Sequence, residues 1–364
     1  MPLPVLDLAG APADMGAIHG HHARHALRAF AEERIRLAGE PAWSGRDLPR
    51  DVVLWLAQRC LDDHRAYAPD LARELEALAE AAGLTPAEAL VVNGFTDFVD
   101  TVYAVGAPMP PQPTATPLAA MDCTAFLVPG ARAAGGHAMF GQTWDMHATA
   151  TEHVAVLRAA PRDAPAFVAF TVLGCVGMIG MNEHGVCVGI NNLSAGDGEV
   201  GVTWPFVVRK ALQQRDLEGA LRCITEARLA GAHNYQLLDR HGRGANVEAT
   251  TTRTVVTPLD GRALVHTNHC LAAATREVER PIEDEALESS FARYARACEL
   301  LERDGLTPAD LEAVTRDGDA ICYSSEDLDV ATCGAVVMRP GTGEFWAVRG
   351  LPSEGSFARV DLPR

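Results

Sequence analysis

The sequence predicts an α+β protein in which helices and strands form separate layers. Its 364 residues are 48% hydrophobic, which supplies a sizeable buried core for one large domain or two ordinary ones. Helical spacing of apolar residues dominates before Gly106, whereas short apolar runs between glycine turns dominate after Pro117. Helix runs and strand runs in this order indicate a layered sandwich.

The first part of the chain is rich in alanine and predicts helices over residues 25–35, 51–67 and 72–82. A further helix should begin at Pro86, with Thr85 as its cap, because proline fits the first helical position. Five prolines and no charge between residues 106 and 117 then indicate a loop or linker.

Beyond this loop the apolar, β-branched runs predict strands, and two regions return to helical spacing. The predicted strands are residues 124–128, 138–142, 154–158, 167–173, 186–190, 235–238, 247–250, 335–338 and 345–348, and the predicted helices lie within 204–230 and 285–302. Residues 164–181 carry no charge, but Pro165 and three glycines interrupt them, so this stretch favours buried strands over a membrane helix.

Charge and cysteine content exclude several classes of function. The formal net charge of -17 disfavours nucleic acid and anionic membranes as partners. The first residues lack a basic stretch followed by an apolar run, so we expect a cytoplasmic protein. Nine scattered cysteines with no Cys-x-x-Cys pair argue against a disulfide framework and a zinc ribbon.

Three short segments after the proline-rich loop carry the candidate chemistry. A lone cysteine at the start of a strand is more often a small buried hydrophobe than a nucleophile, so no segment decides the matter alone. Their order along one chain is more specific. The segments are Met121-Asp122-Cys123-Thr124, Gly141-Gln142-Thr143-Trp144-Asp145 and Thr267-Asn268-His269.

Together these segments resemble the isopenicillin N acyltransferase family (acyl-CoA:6-aminopenicillanate acyltransferase, peptidase family C45), which belongs to the N-terminal nucleophile hydrolases. The resemblance covers most of the chain. Further matches support it: Gly16-x-x-x-Gly20, Gly180-Met181-Asn182 with Gly185-Val186, Ser290-x-x-Arg293-x-x-Arg296, and the strands after Ala331-Thr332.

The resemblance implies a four-layer αββα sandwich of the N-terminal nucleophile hydrolase type. It also implies that the chain cuts its own backbone between Asp122 and Cys123. Residues 1–122 would then be a helical α chain and residues 123–364 a β chain with the catalytic core. Both would form one globular unit, an α/β heterodimer, and a homo-oligomer of it stays open.

Self-cleavage would create an α-amine beside the thiol of Cys123, and that amine can serve as the general base. A free α-amine titrates near ~7.7–8.0, close to working pH. The thiolate would attack an amide carbonyl and form a thioester on Cys123. By the same resemblance, Asn268 would donate to the oxyanion and Asp145 would orient the new amine. Without the resemblance, the simpler interpretations are that Asn268 caps a turn and that Asp145 ends a strand.

The sequence departs from the family pattern at two places. Asp122 stands where many relatives carry glycine, which adopts strained backbone more easily. Residues 326–329 are acidic where relatives often have a basic residue. A carboxylate at Asp327 or Asp329 would suit a cationic substrate group, and a solvated acidic loop explains the same residues equally well.

Several alternatives remain open. His21 and His25 share a helical face with His19 and His22 nearby, which invites a metal site, but we favour solvated histidines and expect neither metal nor cofactor. An unprocessed, non-enzymatic binder of a small molecule is another alternative. We favour hydrolysis of a small-molecule amide, with transfer of the acyl group to an amine, or from acyl-CoA, as the alternative reaction.

Overall fold

A computed structural model describes residues 2–102 and 123–363. Asp122, which precedes the predicted cleavage bond, lies outside the described residues. The helices are α1 Pro12–Gly39, α2 Pro41–Ser44, α3 Arg50–Tyr67, α4 Pro69–Ala82, α5 Pro86–Val92, α6 Phe95–Thr101, α7 Trp204–Ala211, α8 Leu217–Thr225, α9 Ala273–Arg276, α10 Asp284–Leu300 and α11 Pro308–Thr315. The strands are β1 Val5–Gly10, β2 Thr124–Val128, β3 Met139–His147, β4 Val154–Pro161, β5 Phe167–Val172, β6 Ile179–Asn182, β7 Cys187–Asn192, β8 His233–Leu238, β9 Gly244–Ala249, β10 Thr254–Pro258, β11 Leu264–His266, β12 Ser324–Ser325, β13 Val330–Arg339, β14 Glu344–Arg349 and β15 Ala358–Arg359.

The described strands form two sheets. The larger sheet has the order β1-β4-β5-β6-β7-β8-β9-β10, and its first pair, β1 with β4, is parallel whereas the others are antiparallel. The smaller sheet has the order β11-β2-β3-β13-β14-β15, with β12 paired to β13. Strand β2, which follows Cys123 directly, is therefore an inner strand of the smaller sheet.

The two sheets pack face to face between two helical layers. Helices α1, α7 and α8 cover the outer face of the larger sheet, whereas α10 and α11 cover the smaller sheet. Strand β2 contacts β7 and β8 across the interface between the sheets. This arrangement confirms the predicted α+β class and the four-layer αββα sandwich.

Glycines allow the sheets to approach closely. A Cβ atom on Gly189 of β7 would lie 2.1 Å from the ring of Phe140 on β3, so no other residue fits there without a shift. Gln142 of β3 joins the sheets by accepting a hydrogen bond from the Ile190 main-chain N–H, at 3.1 Å, and donating one to the Ile190 carbonyl. Gln142 of the Gly-Gln-x-Trp-Asp segment therefore serves the fold.

The early Gly16-x-x-x-Gly20 motif brings α1 against α4. A Cβ on Gly16 would stand 2.0 Å from the Glu74 carbonyl oxygen, and one on Gly20 would stand 2.3 Å from that of Leu78. The motif thus marks a close backbone contact between two helices. The predicted cap is also present, because the Thr85 side chain accepts from the Glu88 N–H at the start of α5.

Every predicted helix and strand overlaps an observed one, but some elements were not predicted. Strand β1 is one of them, although Leu6 and Leu8 are buried and Val5 and Asp7 are exposed, as strand alternation requires. Strand β6 is another, and it lies at the end of the uncharged stretch, between the predicted strands of residues 167–173 and 186–190. In the two described ranges, no helix combines the length and apolar character needed to span a bilayer.

Candidate active site

Cys123 lies directly before β2, with its side chain in the main hydrophobic core and its carbonyl oxygen facing helix α10. Its side chain is buried, and its Sγ lies 3.8 Å from the main-chain oxygen of Asp145. The antiparallel pairing of β2 with β3 produces this proximity, because Thr124 is opposite Thr143. The candidate nucleophile and Asp145 are therefore neighbours in space, although 22 positions separate them.

Asn268 lies close to Cys123 because it follows strand β11. Strand β11 pairs with β2, so the loop that follows it, residues 267–272, begins beside Cys123. The Asn268 side chain is buried, and its Nδ2 donates to the Asn192 carbonyl at 2.9 Å. One amide group of the kind that can stabilise an oxyanion is thus held at the end of β11.

Arg293 of α10 joins these two residues. Its Nη1 donates to the Cys123 carbonyl at 2.7 Å and to the Thr124 hydroxyl at 3.2 Å, and its Nη2 donates to Asn268 Oδ1 at 3.1 Å. The guanidinium is almost fully buried. Because Asn268 Oδ1 accepts from Arg293, the amide nitrogen of Asn268 is fixed as the donor end.

The sequence indicated Arg293 only as part of a motif shared with the family, and it did not predict a role for this residue in the site. The missed signal is the spacing of Ser290 and Arg293, which places both on one face of α10. Ser290 Oγ accepts from the Asn268 N–H at 3.0 Å, so this face also holds the loop that carries Asn268. Helix α10 is therefore part of the site.

Asp145 is buried in β3, opposite Thr332 of β13. The pairing of these strands is irregular between Thr332 and Gly334, and Cys333 occupies the irregularity. Burial, together with the nearby charge of Asp145, raises the pKa of Cys333 to about 12, which disfavours its thiolate.

Other thiols are also poor nucleophiles. Burial raises the pKa of Cys60 to about 12 and that of Cys223 to about 11, and it raises the pKa of Cys175 as well. All nine cysteines lie in the described ranges, and none forms a disulfide, which agrees with the predicted lack of a disulfide framework.

The Gly180-Met181-Asn182 motif supports the fold beside the site rather than the chemistry. Asn182 Oδ1 accepts from the N–H groups of His184 and Val186, both at 3.0 Å, and thereby shapes the turn between β6 and β7. Gly185 in this turn has φ +78°, a left-handed conformation that favours glycine.

The expectation of solvated histidines at the start of α1 is wrong for His19. Its side chain is buried, and its Nε2 accepts from the Gly174 N–H at 2.8 Å, so it links α1 to the larger sheet. His21, His22 and His25 are exposed. Among the residues described, no group of three or more His, Cys, Asp or Glu side chains has the arrangement of a metal site.

The acidic residues 326–329 are exposed between β12 and β13, beside the C-terminal end of β3. Asp329 has φ 51°, and its carbonyl accepts from the Ala148 N–H at 2.8 Å, so this residue shapes a turn. A substrate contact and a solvated loop both remain compatible with the exposed side chains of Asp327 and Asp329.

Comparison with known proteins decides the family. The sequence profile described as acyl-coenzyme A:6-aminopenicillanic acid acyl-transferase matches residues 132–330, more than half of the chain. The chain belongs to this family. The matched range contains Asp145, Asn268 and Arg293, and the family description is that of an acyl-transferring enzyme.

Solved structures give more distant matches. A mutant of the conjugated bile acid hydrolase from Clostridium perfringens is 12% identical, with a TM-score of 0.44 over 66% of this chain and 92% of that chain. Penicillin V acylase from Agrobacterium tumefaciens is 15% identical, with a TM-score of 0.42 over 66% of this chain and 86% of that chain. No curated protein sequence matches.

Proposed function

We propose that the protein is a self-processing cysteine amidohydrolase that cleaves a small-molecule amide through a thioester on Cys123. The arrangement around Arg293 carries the proposal, because one guanidinium binds both the Cys123 carbonyl and the Asn268 side chain. Cys123 and Asn268 are thereby held close together, as a nucleophile and an oxyanion donor have to be for amide cleavage.

Processing would begin with attack of the Cys123 thiol on the Asp122 carbonyl carbon. The C–N bond between the two residues breaks, the nitrogen takes a proton, and a thioester between Asp122 and Cys123 forms. Water then cleaves this thioester, leaving a carboxyl group on Asp122, a free thiol and a new α-amine on Cys123. The same chemistry, with a substrate amide in place of the peptide bond, is the reaction of the mature enzyme.

In turnover the α-amine would accept the proton of the thiol, and the thiolate would attack the substrate carbonyl. Asn268 Nδ2 would stabilise the negative oxygen of the tetrahedral intermediate, a contribution of roughly 2.7–4 kcal/mol for a donor of this kind. Collapse breaks the C–N bond, and the leaving amine takes the proton held by the α-amine. Water finally attacks the thioester and releases the acid. Asp145, close to Cys123, would orient the α-amine.

The two chains would stay together after cleavage. Strand β1 belongs to the larger sheet, where it pairs with β4, and the His64 ring contacts the Thr203 hydroxyl at 2.9 Å. The Glu74 carboxylate binds Arg209 in the interior at 3.3 Å. Contacts of this kind between residues before 102 and after 123 support an α/β heterodimer that behaves as one globular unit.

The cytoplasm is the proposed place of action, since nine cysteines without a disulfide suit a reducing compartment. Transfer of the acyl group to an amine, or from acyl-CoA, is the alternative reaction, and the family description favours it. Both reactions share the thioester and differ only in the group that attacks it. An unprocessed binder would lack that intermediate.

Trapping of the acyl-enzyme tests the proposal. The protein is mixed with a panel of N-acyl amines, quenched in acid and analysed by mass spectrometry. We expect the mass of the acyl group to be added to wild type and to the Cys333→Ala control, and not to Cys123→Ala. Acylation that persists in Cys123→Ala, or its absence from wild type with every amide and with acyl-CoA, would overturn the proposal. Acyl-CoA with 6-aminopenicillanic acid in the same assay separates transfer from hydrolysis.

A further inference from the structure

A buried carboxylate outside the catalytic set holds the loop that carries Asn268. Glu248 lies on β9 of the larger sheet, and its side chain faces β11 of the smaller sheet and the loop of residues 267–272. The side chain is almost fully buried. A carboxylate in such a place is costly unless donors surround it.

Four donors converge on Glu248. Oε1 lies 2.9 Å from His266 Nε2 and accepts from the Leu271 N–H at 2.7 Å. Oε2 accepts from the Ala272 N–H at 3.1 Å and from the Thr275 hydroxyl. Burial acts to raise the pKa of Glu248, but the hydrogen bonds and the His266 charge lower it to about 2, so the carboxyl group is ionised.

His266 is bound at both ring nitrogens by acceptors. Nε2 meets the Glu248 carboxylate, and Nδ1 lies 2.8 Å from the Thr267 carbonyl oxygen. Because β11 ends at His266, directly before the loop, the contact with Nε2 links Glu248 to the chain that leads into Asn268.

Glu248 and Ser290 hold the loop from its two ends. Ser290 binds the Asn268 N–H and contacts the His269 ring at 2.8 Å, whereas Glu248 binds the main chain at residues 271 and 272. Asn268 lies between these anchors, with its side chain set by Arg293. A small displacement of an oxyanion donor is expensive, since misplacement by about 1 Å can cost ~10²-fold in rate.

We propose that Glu248 is a positioning residue that, together with the His266 ring, holds the Asn268 loop in its productive geometry. The inference rests on the proposed function, because it assigns Asn268 to the oxyanion. The titratable groups around the pair are His269, Cys270 and Glu279, with Arg276 and Arg293 beyond them.

The first test compares two buried carboxylates of the β8–β9 hairpin. Glu248→Gln keeps the shape and removes the charge, and Asp239→Asn is the matched control, since Asp239 accepts from the His241 and Arg243 N–H groups away from the loop. We expect Glu248→Gln to lower kcat by about 10- to 100-fold with KM changed less than about threefold. Asp239→Asn should keep kcat within about twofold. Equal values of kcat in Glu248→Gln and wild type, or an equal fall in both variants, would overturn the proposal.

The second test needs no variant enzyme to be active. Amide hydrogen exchange at Leu271 and Ala272, whose N–H groups bind Glu248, should be faster in Glu248→Gln than in wild type and unchanged in Asp239→Asn. Equal exchange at these amides in Glu248→Gln and wild type would overturn the proposal. If wild type cleaves no amide, the proposed function fails, and the exchange rates still decide whether Glu248 holds the loop.

Discussion

Two buried carboxylate clusters in this protein respond to burial in opposite ways. The loop cluster consists of Glu248, His266, Thr275 and the main chain at 271–272, and its carboxylate has a lowered pKa of about 2. The junction cluster consists of Asp97, Asp100, His233 and Arg280, where α6 meets the part of the chain after Cys123. Burial raises the pKa of Asp100 to about 7, although Arg280 opposes the change. Burial also raises the pKa of Asp97 well above its ordinary value.

The difference teaches that a counter-charge alone does not keep a buried carboxyl ionised. Asp100 has Arg280 at 2.7 Å, but the effect of burial is larger, and Asp97 beside it adds a second carboxyl. Glu248 is as fully buried as Asp100, but four hydrogen-bonding groups converge on its two oxygens. The cluster beside the candidate site therefore keeps its charge across the working pH range, whereas the junction holds protons near neutrality.

Substitution of Asn268 should have the largest effect on kcat. A small effect would contradict the comparison between the two clusters. Asn268→Ala should lower kcat by about 10²–10³-fold, because it removes a donor to the oxyanion. Asp97→Asn, in the junction cluster, should leave kcat within about twofold of wild type. The measurement is steady-state hydrolysis of the best amide substrate. Similar rates for Asn268→Ala and wild type would place the oxyanion donor elsewhere.

Arg293 and Arg280, which are both buried, offer a second comparison, with a smaller effect. Arg293→Lys keeps the charge but loses the fork that binds Cys123, Thr124 and Asn268 together, so kcat should fall about 10- to 100-fold. Arg280→Lys should lower the melting temperature and leave kcat unchanged within about twofold. A loss of rate in Arg280→Lys that equals the loss in Arg293→Lys would show that the two regions do not differ in role.

The junction cluster also predicts a pH dependence of stability. Because folding raises the pKa of Asp100 from 3.8 to about 7, its contribution is full below pH 3.8 and is lost as the pH rises through about 7. The loss is about 1.4 kcal/mol for every unit that separates the two pKa values. His233, whose pKa burial lowers to about 3, acts in the opposite sense, so the difference between wild type and Asp100→Asn isolates the aspartate.

Urea unfolding at several pH values measures this difference. We expect wild type to lose stability relative to Asp100→Asn between pH 4 and 7, in addition to a constant offset from the altered contact with Arg280. Parallel curves for the two proteins would contradict a proton held at Asp100.

Much of the fold and part of the candidate site follow from the sequence. Local patterns predicted β2 and the Thr85 cap, since strand alternation and capping depend on near neighbours. Motifs indicated Cys123 and Asn268, and both residues accept hydrogen bonds from Arg293 in the structure. The role of Glu248 in holding the loop of residues 267–272 was not predicted. Glu248 is a single acidic residue in a short strand, and its neighbours become known only from the packing of the two sheets. His19 was misjudged for the same reason, since its partner Gly174 is 155 positions away.

The most direct test of the account is the mass of the purified protein under denaturing conditions. A cut before Cys123 divides the 38.8 kDa chain into parts of 122 and 242 residues, about 13 and 26 kDa. We expect these two masses for wild type and for Cys333→Ala, and a single mass of 38.8 kDa for Cys123→Ala. An uncut wild-type chain would contradict the account, because no α-amine would then exist at Cys123 to act as the base.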